Sequence, residues 1–159
     1  MADNGFMRFS LGALSREQTS GFLERIWTRD RAGLPSQFAV TVAANDRLIG
    51  YCGFFLQAVD GMEELEIGYR LDPAYWGKGL ATEASRAVRD HFFNDLGGEH
   101  AISLIHPENI ASRRVAEKNG MTPEKETIFR GFPTIVFGID RAQWQAWNDQ
   151  QKQRRAAPG

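Results

Sequence analysis

Asp72–Ala84 reads DPAYWGKGLATEA, with Gly77 and Gly79 one residue apart where an apolar strand gives way to a helix. Upstream, ELEIGYRLD alternates as a strand does. Leu65, Ile67, Tyr69 and Leu71 share one face, and Glu64, Glu66 and Arg70 share the other. Downstream, Leu80, Ala81, Ala84, Val88, Phe92 and Leu96 recur at helical spacing, and Gly97-Gly98 ends the pattern. The first amides of such a helix have no partner within it, and the helix dipole is positive at that end. Glycine allows close backbone approach and a positive φ, so the turn has the makings of an anion site. A plain strand-to-helix turn is the simpler alternative.

Working outward, SREQTSGFLERIW carries Phe22, Leu23, Ile26 and Trp27 at helical spacing behind a good N-cap, Ser15. QFAVTVAA and RLIGYCGFFLQ flank Asn45-Asp46 and read as a hairpin. AISLIH is a short buried strand stopped by Pro107. NIASRRVAEKNG is a short helix with Asn109 as N-cap and Gly120 past its end. TIFRG and TIVFGID form a closing hairpin, and RAQWQAWNDQQ is a last helix. This order predicts a mixed α/β fold of helices packed on one sheet. The length predicts a single domain over 1–148, followed by a polar basic tail over 149–159.

A formal net charge of −1 over 159 residues gives no basic surface for nucleic acid. There is no apolar run of membrane-spanning length and no signal peptide, so the chain reads as cytoplasmic, with no membrane partner. Cys52, the one cysteine, lies in the apolar LIGYCGFF and reads as a small buried thiol. His91, His100 and His106 are scattered, so no metal-ligand spacing is present, and His106 before Pro107 reads as a strand-end residue.

Two phosphate-binding motifs fit the glycine turn poorly. A dinucleotide fingerprint needs a third glycine where Thr82 stands, and a Walker loop needs wider glycine spacing and a Lys-Ser/Thr pair. A pyrophosphate held by WGKGLA alone remains. Here EIGYRLDPAYWGKGLATEASRAV, followed by HPENIASRRVAEKNGM, resembles the GNAT acetyltransferase superfamily, in the branch that includes ribosomal-protein N-terminal acetyltransferases. The resemblance runs from about Phe6 to Trp144 and implies a mostly antiparallel central sheet with flanking helices. The family's Arg/Gln-x-x-Gly-x-Gly/Ala pattern falls on Trp76 to Ala81. Gly79 and Ala81 match, and Trp76 replaces Arg or Gln.

The resemblance implies that Trp76, Gly77, Lys78, Gly79, Leu80, Ala81 and Thr82 wrap the pyrophosphate of acetyl-CoA as co-substrate. It also implies that a backbone amide near Arg70 or Leu71 stabilises the oxyanion and holds the pantetheine arm. Acetyl transfer to an amine needs a proton acceptor, because an α-amino group has a pKa of about 8 and a lysine about 10.4. Glu66 is the candidate base, with a solvated strand glutamate as the plainer reading. Many members use a tyrosine to protonate the leaving thiolate, where this chain has Ala116. The branch points instead to Ser112, which also reads as a first-turn serine of the Asn109 cap. Asn109 reads as that cap, as a contact to the pantetheine arm, or as both.

The family carries a strand and a helix ahead of the segment resembling FMRFSLGALSREQ, and only five residues precede Phe6 here. The comparison therefore implies a sheet lacking that first strand and helix, with an open edge on QFAVTVAA that favours a homodimer. Three functions follow from the sequence. One is an N-acetyltransferase acting on a small amine or a protein N-terminus. The second is a non-catalytic coenzyme A-binding module with an incomplete acceptor site. The third is a nucleotide-binding domain.

Overall fold

The computed structural model describes residues 14–156. Helix α1 (Arg16–Arg31) opens with a capping box. Ser15 Oγ accepts from the Gln18 N–H at 3.1 Å, and Gln18 Oε1 accepts from the Ser15 N–H at 2.8 Å. No α1 residue is fully buried, and the Phe22 ring meets that of Tyr51 at 5.5 Å. Strands β1 (Gln37–Val42) and β2 (Arg47–Val59) make the expected hairpin, with Asp46 at φ 54°. Strand β3 (Met62–Leu71) returns antiparallel to β2, from Val59↔Met62 to Gly50↔Leu71. Then come α2 (Leu80–Asn94), β4 (His100–Ile105), α3 (Ile110–Lys118), β5 (Thr122–Phe129), β6 (Phe132–Asp140) and α4 (Arg141–Ala156).

The strands form one six-stranded sheet in the order β1-β2-β3-β4-β6-β5. Every neighbouring pair is antiparallel except β3 with β4. The expected mixed α/β class and mostly antiparallel sheet are therefore present. The expectation of a missing strand and helix concerns the chain ahead of Phe6, and residues 1–13 lie outside the described residues. Among the described residues β1 and β5 are the sheet edges.

Alternation along the strands builds two cores. On one face Cys52, Phe54, Ile67, Ala101 and Ile105 pack with Val88, Phe92 and Phe93 of α2 and Trp144 of α4. Burying each of these phenylalanines stabilises by about 1.5–3 kcal/mol. On the other face Val59, Ile102 and Val136 gather with Leu104 and Phe129. Cys52 is the buried thiol the sequence suggested. Burial pushes its pKa up to about 12, with a smaller opposing pull from the Gly53 backbone.

Two expectations change in detail. Leu96 does not join the buried stripe of α2 and is 39% exposed. The helix stops at Asn94, Gly97 turns the chain at φ 68°, and the Gly98 N–H closes the end on Phe92 O. Residues 149–156, expected as a tail, continue α4 as mostly exposed polar turns. No described helix is long and apolar enough to cross a membrane.

At the start of β4, His100 sits between two carboxylates, with Nε2 2.9 Å from Glu124 and Nδ1 3.4 Å from Glu64. Partial burial pulls the imidazole pKa down, but the Glu124 and Glu64 carboxylates outweigh it and the net shift is upward. A raised folded-state pKa gives stability that is fully present below the unfolded value of about 6.5. That stability is lost as pH rises through the folded value. His100→Gln should therefore lower the melting temperature more at about pH 6 than at about pH 9. Equal losses at both pH values in thermal melts would refute the pairing.

Candidate active site

The parallel strands β3 and β4 register at a single residue pair, Glu66↔Ile102. A continuing parallel ladder would next give the Leu104 N–H to Ile67 O. Ile67 O is instead taken by Ser103 Oγ, which donates to it at 2.7 Å, and the Leu104 N–H favours the charged form of the Glu66 carboxylate. Beyond this point a groove of about 820 Å³ opens between Glu66–Leu71 and Ser103–His106, closed by α3 and the first turns of α2.

Strand alternation decides which amides face the groove. The Asp72 N–H donates to Ile49 O on the β2 side, whereas Ile67 O accepts from β4. Tyr69 and Leu71, in phase with Ile67, turn their N–H groups toward the groove, and Arg70 turns its own into the β2 ladder. Of the two amides named from the family pattern, that of Leu71 faces the groove and that of Arg70 faces β2.

Between β3 and α2, Asp72 caps a single 3-10 turn (Pro73–Tyr75) by accepting from the Ala74 N–H at 2.9 Å. Trp76, 53% exposed, donates its indole N–H to Leu71 O at 2.9 Å, tying the turn to the strand end. Gly77 and Gly79 take φ of 72° and 77°, which side chains rarely adopt. Gly79 is the N-cap and supplies no side-chain bond, and the Glu83 N–H is bound to Gly79 O. The N–H groups of Leu80, Ala81 and Thr82 are the uncapped ones, and all three residues line the groove. Lys78 turns away, with Nζ donating to Ala74 O at 3.2 Å and lying over the Tyr75 ring.

Buried Asn119, just past α3, holds two walls of the groove together. Its Nδ2 donates to Ser85 Oγ at 2.6 Å and to Thr82 O at 3.2 Å, and its Oδ1 accepts from Arg86 Nε at 3.1 Å. Its carbonyl accepts from Arg89 Nη1. Arg89 is 1% exposed, paired with Asp90 at 2.7 Å and stacked on Trp147 at 4.2 Å. Trp144 also donates to Asp90, at 2.8 Å, so α4 braces the assembly.

On α3, Asn109 Oδ1 accepts from the Ser112 N–H at 3.1 Å. The capping reading of Asn109 therefore holds, while both residues also line the groove. Ser112 Oγ accepts from the Tyr69 hydroxyl at 3.0 Å, across from β3. Burial raises the pKa of Tyr69, with the Ser112 contact opposing. Glu66 lies on the β3 wall, half-buried rather than solvated. Burial raises its pKa, and bonds from Gln57 and the Leu104 N–H hold it back. Ala116, where the resemblance implies a tyrosine in many members, is buried one turn beyond Ser112.

The groove thus gathers Glu66, Arg70, Leu71, Trp76, Gly77, Gly79, Leu80, Ala81, Thr82, Asn109 and Ser112, and of the residues singled out in the sequence only Lys78 stands off its wall. Tyr69, Gln57 and Asn119 were not foreseen. A hydroxyl on an apolar strand face needs a partner when buried, which was the available signal for Tyr69. Gln57 and Asn119 carry no comparable signal.

Residues 1–122 match the family model described as Acetyltransferase (GNAT) domain. YkkB of Bacillus subtilis is 44% identical over 89 residues, 56% of this chain and 52% of that protein. The chain thus spans about half the length of the curated relatives YkkB and YjcK. The uncharacterised N-acetyltransferase YnaD of Bacillus subtilis is 30% identical over 150 residues, 90% of this chain and 85% of that one. Among solved structures, an acetyltransferase (GNAT family) from Bacillus anthracis aligns with TM-score 0.69 at 25% identity, covering 87% of this chain and 83% of that one. The ribosomal-protein-S5-alanine acetyltransferase from Vibrio fischeri aligns with TM-score 0.69 at 20% identity, covering 83% and 78%.

Replacing Asn119 with Ala removes one bond each from Ser85 Oγ, Thr82 O and Arg86, although Ser85 Oγ keeps Ala81 O and Arg86 keeps Lys118 O. The expected loss is about 1–3 kcal/mol of unfolding free energy in total. Urea denaturation measures it, and a loss under about 0.5 kcal/mol, the ordinary range for a surface site, would contradict the bracing role.

Proposed function

The chain belongs to the GNAT acetyltransferase family, and we propose that it transfers the acetyl group of acetyl-CoA to a primary amine. The observation that carries this reading is the broken β3–β4 ladder. It sets Glu66, the outward amides of Tyr69 and Leu71, and the glycine turn along one groove. The uncapped amides of Leu80, Ala81 and Thr82 suit a pyrophosphate, with glycines of positive φ where side chains would be strained. The groove of about 820 Å³ has room for the pantetheine arm between the strands. Trp76 stands where the family has Arg or Gln, and it steadies the turn through Leu71 O rather than adding charge.

Each step then has a residue. Glu66, with its raised pKa, takes the proton that the amine must lose. The Leu71 amide is the donor aimed where the carbonyl oxygen becomes negative. Tyr69 donates to Ser112 Oγ, which leaves the Ser112 proton free to meet the departing sulfur. The acceptor is a small amine or a protein N-terminus. The fold shared with the Vibrio fischeri enzyme, which by its name acts on ribosomal protein S5, supports the second. A coenzyme A-binding module without turnover remains the competing reading, and an amine panel with acetyl-CoA separates the two.

Gly79→Asp places a carboxylate at the anion end of α2 and should weaken acetyl-CoA binding about tenfold or more in calorimetry. Unchanged affinity in the folded variant would remove the turn from the site.

Glu66→Gln should lower kcat/KM about 100-fold. The loss should be greatest between the Glu66 pKa and that of the amine, where the wild type still has an ionised acceptor for the proton. Ser112→Ala should lower kcat while leaving acetyl-CoA affinity unchanged. Wild-type pH–rate profiles in both variants would leave catalysis to positioning alone.

A further inference from the structure

Glu66 is held from strands and a turn far apart in sequence. Gln57 Nε2, on β2, donates to Glu66 Oε2 at 2.7 Å. Gln57 Oε1 in turn accepts from Arg130 Nη2 at 3.1 Å. Arg130 lies in the β5–β6 turn at φ 50°, with its guanidinium 5.0 Å from the Phe129 ring. The cation decides the orientation of the amide. An arginine bonds only to the Gln57 oxygen, so the Gln57 nitrogen must face the carboxylate. On the other side of the carboxylate is Gly68. A side chain there would begin 2.9 Å from the Phe55 ring and 3.7 Å from Glu66 Oε1. Glycine thus keeps clear a space bordered by Oε1 and the Phe55 ring.

We propose that Gln57 and Arg130 are positioning residues for the base: Gln57, oriented by Arg130, binds Oε2 of Glu66 and so leaves Oε1 as the oxygen that meets the amine. The proposal rests on reading Glu66 as that base. The two carboxylate oxygens are inequivalent because one is tied to Gln57 and the other borders the space over Gly68. A hydrogen bond to a carboxylate favours its charged form, and burial opposes that form. The groups that bear on Glu66 are Gln57 of β2, the Leu104 N–H of β4 and the more distant Arg130. Tyr51 of β2 feels both Arg70 and Glu66. Among these, Gln57 and Arg130 act as a unit. Removing Gln57 breaks the link at both ends, whereas removing Arg130 leaves the amide free to turn.

The titration of Glu66 can be followed without any acceptor, by carbon-13 NMR of protein labelled at the glutamate carboxyl carbons. The resonance missing from Glu66→Gln identifies the residue. Gln57→Leu should raise the Glu66 midpoint by about one pH unit or more, the equivalent of losing one hydrogen bond to a charged group. Arg130→Gln, at an exposed turn, should raise it by less, and it serves alone if Gln57→Leu does not fold. Acetyl-CoA affinity should be unchanged in both. A midpoint within about 0.2 units of wild type in the folded Gln57→Leu protein, or in Arg130→Gln if that variant alone folds, overturns the proposal. The base reading is judged separately, by the turnover of Glu66→Gln. A shifted midpoint with undiminished Glu66→Gln turnover would keep the support and reject the base.

Discussion

The early end of the ladder between β3 and β4 is the constraint on which the rest of the molecule depends. A parallel pair held through its full length would be a closed sheet with no opening for a substrate. Here Ile67 O accepts from the Ser103 hydroxyl, and the Leu104 N–H bears on the Glu66 carboxylate. The backbone groups of Tyr69 and Leu71 are then not claimed by β4. Ile67 O keeps a partner where the ladder ends, because the Ser103 hydroxyl replaces the missing backbone donor. Glu66 therefore has two relations to the site: it stands where the β3–β4 pairing ends, and it lines the space beyond.

The helices around the opening are fixed by a different means. The first three turns of α2 and the end of α3 meet through the four bonds of Asn119, and α4 holds that junction through Asp90 and the two tryptophans. A buried guanidinium is costly without a partner, and Arg89 has Asp90, the Asn119 carbonyl and an indole face. Charge is used here to lock elements together at the groove's wall.

Local features were legible in the sequence because their chemistry is local. Ser15 and Asn109 cap helices within three residues of themselves, and Gly77 and Gly79 take the positive φ that the strand-to-helix turn suggested. The strand pairing around Asn45-Asp46 follows from the turn and the alternation beside it. What the sequence could not reveal is contact over distance. Tyr69 meets Ser112 across 43 positions and Arg130 meets Gln57 across 73, and neither spacing leaves a periodic trace. Glu66 looked like a surface glutamate because alternation placed it opposite Ile67. It is half-buried because the second face of the sheet has its own core, around Val59, Ile102 and Val136. Leu96 misled for the opposite reason: it kept the helical spacing after the helix had ended.

Asn119 is followed by Gly120, and an asparagine before glycine is the pair most prone to spontaneous deamidation, since little hinders attack of the following amide nitrogen on the side chain. In the folded chain that nitrogen is bound to Glu117 O at 3.0 Å, and the side-chain amide is held on both its atoms. Gly120 is fixed at φ 83°, and an added side chain would begin 2.6 Å from the Trp147 ring. The glycine that invites the reaction is thus required by the packing that restrains it. Chain that unfolds loses this protection, and an aspartate formed there has no donor for Thr82 O and Ser85 Oγ on refolding. Time spent unfolded would be recorded as permanent chemical ageing at the junction that shapes the groove.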